Sequence, residues 1–192
     1  MAVGFAAHSG WAMAIVVGLV DGHLRVYDRR RVELISPDLP RQAYHAAADL
    51  PAGEGRALVA TVDRSIAEHA LDALSAIQTS VSEHSSLAAV GLVGHERQIP
   101  EMTAVLARHA LMHASEGEQY RRGLSKAAVE LHLPVYRIGP ERVGTDLAGL
   151  VGWSSARLAD EHAQVRAAIG PPWQKDHKDA SAAALIALRS AA

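Results

Sequence analysis

Two tight-turn signals, His8-Ser9-Gly10 and Asp21-Gly22, divide one apolar stretch into three runs, Val3 to Ala7, Trp11 to Val20 and Leu24 to Ile35. Asp-Gly between two β-rich runs is the strongest short hairpin signal a sequence carries, because the favoured turn needs positive φ at both central residues. The stretch is therefore predicted to fold as three antiparallel strands. In the third run Leu24, Val26, Val32 and Leu34 share one parity while Arg25, Arg29 and Arg31 share the other, which predicts one buried and one wet face. Trp11 to Val20 is apolar on both parities and is predicted to be a more central strand. Up to Val20 the only ionisable side chain is His8, as in a signal peptide or membrane anchor. The missing basic flank, the His-Ser-Gly interruption and the Asp-Gly that follows argue against a membrane segment.

Beyond the strands, Ser36 to Pro40 reads as a turn, with Pro40 at the first position of a helix reaching Leu50. Pro51 to Gly55 reads as a break, Leu58 to Val62 as an unassigned apolar piece, and Asp63 as the N-cap of a helix whose inner face is Ile66, Ala70, Leu74 and Ile77. Leu87 to Val93 has the pattern of a buried parallel strand, with Gly94-His95-Glu96 at its carboxyl end, where open α/β sheets place functional groups. A helical region from Pro100 to His132, with breaks expected at Gly117 or Gly123, leads to a strand at Pro134 to Ile138. Residues 139 to 170 contain a helical pattern from Arg157 to Ile169, and a last helix runs from Trp173 to Ser190. The order of elements predicts a mixed α/β sheet flanked by helices, in a single domain over residues 1 to 192.

Composition narrows the function classes. A formal net charge of −2 builds in no general attraction for nucleic acid or anionic membrane. With no cysteine there are neither disulfides nor thiolate metal ligands, consistent with a cytoplasmic protein. Eleven histidines direct attention to metal and acid/base sites. No phosphate loop, dinucleotide fingerprint or nucleophile elbow is present in the sequence.

Two stretches carry a family resemblance. VGFAAHSGWAMAIV resembles the first hairpin of the Holliday-junction-resolvase-like branch of the ribonuclease H-like superfamily, and Asp176-His177-Lys178-Asp179-Ala180 before an Ala-rich helix resembles its last helix with two aspartates. The resemblance implies an RNase H-like mixed sheet, three antiparallel strands then two parallel ones. It also implies metal-assisted phosphodiester hydrolysis, in which divalent cations such as Mg²⁺ or Mn²⁺ are held by carboxylates on the first strand, the fourth strand and the last helix. Asp176 and Asp179 match the helix pair and Glu96 stands at the fourth-strand position, but the first-strand position falls on Ala6, with His8 the nearest polar group. The candidate catalytic set is thus His8, Glu96, Asp176 and Asp179, and the missing first carboxylate argues against an orthodox two-metal nuclease.

A separate constellation is His109-x₃-His113-x₂-Glu116, whose spacing points three ligand-type side chains from one helix face and suits zinc or another transition metal. The same residues also read as a polar stripe, with Glu116 paired to an arginine. His95, Arg121, Arg122 and Lys178 are candidate binding residues, and Arg25 with Arg29 to Arg31 forms a basic run that suits either a polyanion or a solvated outer strand. Two function classes follow. One is a binding or interaction module for nucleic acid, translation machinery or another protein, a homodimer included. The other is a metal-dependent hydrolase with a remodelled site.

Overall fold

The computed structural model describes residues 1 to 192. Strands β1 (Ala2–His8), β2 (Trp11–Val20) and β3 (His23–Glu33) precede helices α1 (Ala43–Ala48) and α2 (Ala52–Val81). Strand β4 (Ala89–Val93), helices α3 (Met102–Leu106) and α4 (His109–Glu130) and strand β5 (Val135–Ile138) follow, and then α5 (Val143–Val151), α6 (Ser155–Ile169) and α7 (Lys175–Ser190). The five strands lie in the order β3-β2-β1-β4-β5. β1, β2 and β3 are antiparallel neighbours, and β4 and β5 run parallel to β1. Both turns form as the sequence requires, with Gly10 at φ 96° and Asp21 and Gly22 at 51° and 76°. No helix is long and apolar enough to cross a membrane.

The alternation along β3 does not define one buried face. Val17 pairs with Val26 but Val16 pairs with Asp28, so Tyr27 is an extra residue, a β-bulge. One inserted residue inverts the faces of everything after it. Leu24 and Val26 pack toward the α5, α6 and α7 side, whereas Val32 and Leu34 pack toward α2 and α4. The arginines divide accordingly. Arg29 donates to the carbonyls of Gly170 and Pro172 ahead of α7, at 2.9 and 2.8 Å, while Arg30 reaches Ser80 of α2 at 3.0 Å. At the outer edge the Leu24 amide donates to the buried Glu161 carboxylate of α6 at 2.8 Å, which covers a strand edge that would otherwise stay open.

Several helix boundaries differ from the sequence reading. The helix expected from Pro40 starts only at Ala43, and Pro51 does not break the chain but stands at the N-cap of α2. Leu58 to Val62 and Asp63 are therefore helical, and Asp63 accepts a hydrogen bond from Gln119 of α4 at 3.0 Å. Gly55 is retained inside α2 because a β-carbon there would stand 3.1 Å from the Ala47 carbonyl of α1. Gly117 and Gly123 do not interrupt α4. The break falls at Arg108, which is extended (φ −141°, ψ 112°), and Gly123 faces Ile66 of α2, whose Cγ2 would be 2.4 Å from an added β-carbon. Gly123 is thus a close-packing position between two helices, which offsets its helix cost. The last helix begins at Lys175, two residues beyond the expected Trp173.

The tightest contact in the molecule is α7 against β1 and β4. A β-carbon on Gly4 would lie 1.8 Å from the Ala180 carbonyl oxygen, and one on Gly91 would lie 2.2 Å from that of Ala183. The helix answers with small residues, and Ala180, Ala183, Ala184 and Ala187 are fully buried. Overpacking against backbone has no side-chain escape, so Gly91→Ala should lower unfolding free energy by ~3 kcal/mol or more in urea titration. Gly149→Ala, in α5 with open space around it, should be neutral or stabilising by up to about 1 kcal/mol.

Candidate functional site at the carboxyl edge of the sheet

Gly4, Ala6 and His8 alternate onto the face of β1 covered by α7, so the register that seats the helix also carries His8 to its first turn. His8 Nε2 lies 3.0 Å from Asp176 Oδ2, and both side chains remain partly open to solvent. The His8 ring stacks on Trp11 across the β1–β2 turn with centroids 4.3 Å apart and planes 14° from parallel. The Arg31 guanidinium stands 4.2 Å from the same indole and is held by Glu33 at 2.8 Å. An imidazole stacked on an indole, with a guanidinium over the same indole, thus stands beside a carboxylate. Trp11 lies in the hairpin stretch that carries the resemblance and Arg31 in the basic run, but nothing in the sequence shows that the two meet beside His8.

The four residues expected to converge do so only in part. His8 and Asp176 meet. Asp179 is engaged by Lys175 of the preceding turn and lines a different space, a cavity of about 680 Å³ between α5, α6 and α7 that also holds His162, Arg166, Trp173 and Lys178. Glu96 is exposed and shares a cleft with Glu118, Arg122 and Arg137, on the α4 and β5 side. The parity of the carboxyl ends accounts for this division. Asp176 alone looks along the β1 face, and the loop after β4 carries Glu96 toward β5, where Arg137 donates to the His95 carbonyl at 3.3 Å. Ala6, at the first-strand position, is buried in the apolar layer against α7. A pair of Mg²⁺ ions takes oxygen ligands, and the resemblance expects one of them from that strand. Ala6 supplies none, so the donors at this edge do not fit such a pair.

Of the four candidate binding residues, Arg121 and His95 are engaged by carboxylates. Glu118 is buried and accepts from Arg121 at 3.1 Å and from Arg137 at 2.5 and 2.7 Å. Burial pulls the Arg137 guanidinium below its ordinary pKa, and the Glu118 charge opposes this. His95 pairs with Glu141 at 3.1 Å on an exposed surface. Arg122 lines the cleft with Glu96, and Lys178 lines the α5–α7 cavity.

His109 and His113 do come together, and the third group beside them is His45 of α1. Glu116 is buried behind the cluster, where it accepts from the backbone amides of Tyr44 and His45, both at 3.0 Å, and from His45 Nδ1 at 2.8 Å. The arginine pairing expected for Glu116 is replaced by these bonds. Nothing in the sequence marks His45, since it lies on a six-residue helix far from His109 in the chain.

No family model and no curated protein sequence matches the chain. Among solved structures it is similar to Thermus thermophilus RuvC in complex with Holliday junction substrate, with a TM-score of 0.56 and 19% identity over 99% of this chain and 93% of that one. A second structure of Thermus thermophilus RuvC aligns with a TM-score of 0.54 and 19% identity, covering 99% and 94% of the two chains. The fold is RNase H-like. It has the mixed sheet of the resolvase type, three antiparallel strands followed by two parallel strands, with helices on both faces.

On this fold the α5–α7 cavity contains the most perturbed histidine. Burial, reinforced by the Lys178 charge and opposed by Asp179 and Glu161, pushes His162 down to about 4. Trp173 Nε1 donates to its Nδ1 at 3.3 Å, which places the proton of the neutral ring on Nε2. With a folded pKa below the unfolded value, the unfolded chain binds the extra proton between these two pKa values, so stability is full above about pH 6.5 and is lost on acidification toward pH 4. Urea unfolding at pH 7 and pH 5 should differ by about 2 kcal/mol from this group alone, and His162→Gln should flatten the dependence.

Proposed function

We propose that this chain is an RNase H-like binding domain that engages nucleic acid at the carboxyl edge of its sheet without two-metal hydrolysis. The observation that carries the reading is Ala6, a buried methyl group where the resemblance requires a bridging carboxylate. The two acids of α7 support it, because Asp176 is matched by His8 and Asp179 by Lys175. The cluster of His8, Trp11 and Arg31 is the recognition element, since aromatic side chains and an adjacent guanidinium stack with nucleobases of any identity. Arg25, Arg29 and Arg30 contribute less than the basic run implies: Arg29 and Arg30 are bonded to the loop before α7 and to α2, on opposite faces of the sheet. The likeness to RuvC, solved with a Holliday junction substrate, makes branched DNA the first ligand to test.

A second reading rests on one distance. The His8–Asp176 pair at 3.0 Å is a carboxylate-oriented imidazole of the kind that serves as a general base, which suits a hydrolase that has rebuilt its site around His8. Fluorescence anisotropy with labelled four-way junction, duplex and single-stranded DNA and RNA separates the two. Binding should be saturable and salt-sensitive, weakened about fivefold or more by Trp11→Ala or Arg31→Ala, with no cleavage in Mg²⁺ or Mn²⁺. Cleavage that disappears in both His8→Ala and Asp176→Asn would establish the hydrolase instead, and absence of binding to every probe would refute the nucleic-acid reading.

A further inference from the structure

We infer that His45, His109 and His113 form a binding site for a late divalent transition metal, zinc foremost, with Glu116 as the group that orients it. The site clamps α1 to the start of α4, and it is independent of the edge occupied by His8 and Asp176.

The geometry is that of converging ring nitrogens. One ligand-type nitrogen from each ring can be chosen so that all three lie within 4.8 Å of one another. His45 Nε2 is 3.3 Å from His109 Nδ1, and His109 Nε2 is 3.0 Å from His113 Nε2. These two contacts use opposite nitrogens of His109, and one ion takes only one of them. Nitrogens bound to one tetrahedral ion at ~2.0–2.1 Å stand roughly 3.3–3.4 Å apart, so the set of three that lies within 4.8 Å must close by rotation of the rings to seat an ion. The rings do not stack, which would turn their nitrogens away from a common point. They meet edge to face, at 88° and 87° for His109 with His45 and with His113, with centroids 4.5–4.9 Å apart.

Glu116 is the second, independent observation. It is 1% exposed, and both its oxygens lie within 3.0 Å of His45 Nδ1. An ionised carboxylate only accepts, so Nδ1 of His45 carries the proton and Nε2 presents its lone pair to the cluster. A ring nitrogen tied to a buried carboxylate while the other points at a shared centre is the usual support of a metal-bound histidine. Imidazole donors suit zinc, nickel or copper and not magnesium, which takes oxygen. His109 and His113 are exposed, so a fourth position faces solvent. A depression of about 550 Å³ lined by Ser9, Arg41, Gln42 and His45 adjoins it. Three histidines with an open position are the ligand set of a reactive zinc rather than of a closed structural one.

Without a metal the same rings make a relay of N–H···N bonds, from His113 through His109 and His45 to Glu116. The test must therefore separate a metal site from a hydrogen-bonded chain. Chelator-stripped full-length protein is titrated with Zn²⁺ by calorimetry, its melting temperature is measured with and without Zn²⁺, and Co²⁺ is added to read coordination from its visible ligand-field bands. The expected result is one Zn²⁺ per chain, a melting temperature raised by several degrees and Co²⁺ bands of tetrahedral type. His109→Ala and His113→Ala, both at exposed positions, should melt like the metal-free wild type and lose the Zn²⁺ response. Glu116→Gln keeps an acceptor for the two amides and should retain the stoichiometry while weakening affinity about 10- to 100-fold. Failure to bind one Zn²⁺, or binding unchanged in the His109→Ala/His113→Ala double variant, would overturn the site and leave the relay.

Discussion

Helix α7 can lie directly on the sheet only because two adjacent strands present glycines where it crosses them. Gly4 on β1 and Gly91 on β4 are paired in register, and the carbonyls of Ala180 and Ala183 occupy the space their β-carbons would take. This contact sets the height of the helix, its alanine-rich inner face and the place where its first turn meets the end of β1. The His8–Asp176 pair follows from it. Two residues along β1 from Gly4 is Ala6, still under the helix, and two further is His8, at the point where the helix ends and solvent begins.

The same constraint explains what the edge lacks. A carboxylate at Ala6 would project into the layer shared by α7 and the strand, and in the absence of an ion it would be a buried charge of high cost. Here that position is a methyl group and the flanking acids are each matched by a cation or an imidazole. The buried acids elsewhere are paired in the same way. Glu118 takes two arginines, Glu116 takes two amides and a histidine, and Glu161 takes an amide and a histidine. Each joins elements distant in the chain, so the buried acids act as cross-braces between the helices and the sheet or between helices.

Much of this was legible in the sequence, and the misses have identifiable causes. The three-strand meander was readable because Asp21-Gly22 and the apolar runs leave few alternatives, and the first parallel strand because the seven residues from Leu87 to Val93 carry no polar side chain. The two faces of β3 were misread because a bulge leaves no mark in the composition while it inverts every later residue. Gly55 and Gly123 read as helix breakers, yet each is a place where another helix crosses too close for a side chain. Of the four candidate residues, His8 and Asp176 meet, whereas Glu96 and Asp179 share their chemistry but not their direction.

The sequence by itself determined the order of the elements, the antiparallel start and parallel continuation of the sheet, and the absence of a first-strand carboxylate, because these depend on local pattern and residue identity. Tertiary structure alone decided which ionisable groups meet. His45 joins His109 and His113 because α1 packs close to α2 at Gly55 and is bound to α4 through the Glu116 carboxylate. Asp176 and Asp179, three residues apart, part company because one faces the sheet edge and the other a cavity between helices. Pairing of side chains depends on distances across the fold, and a linear pattern carries periodicity but not those distances.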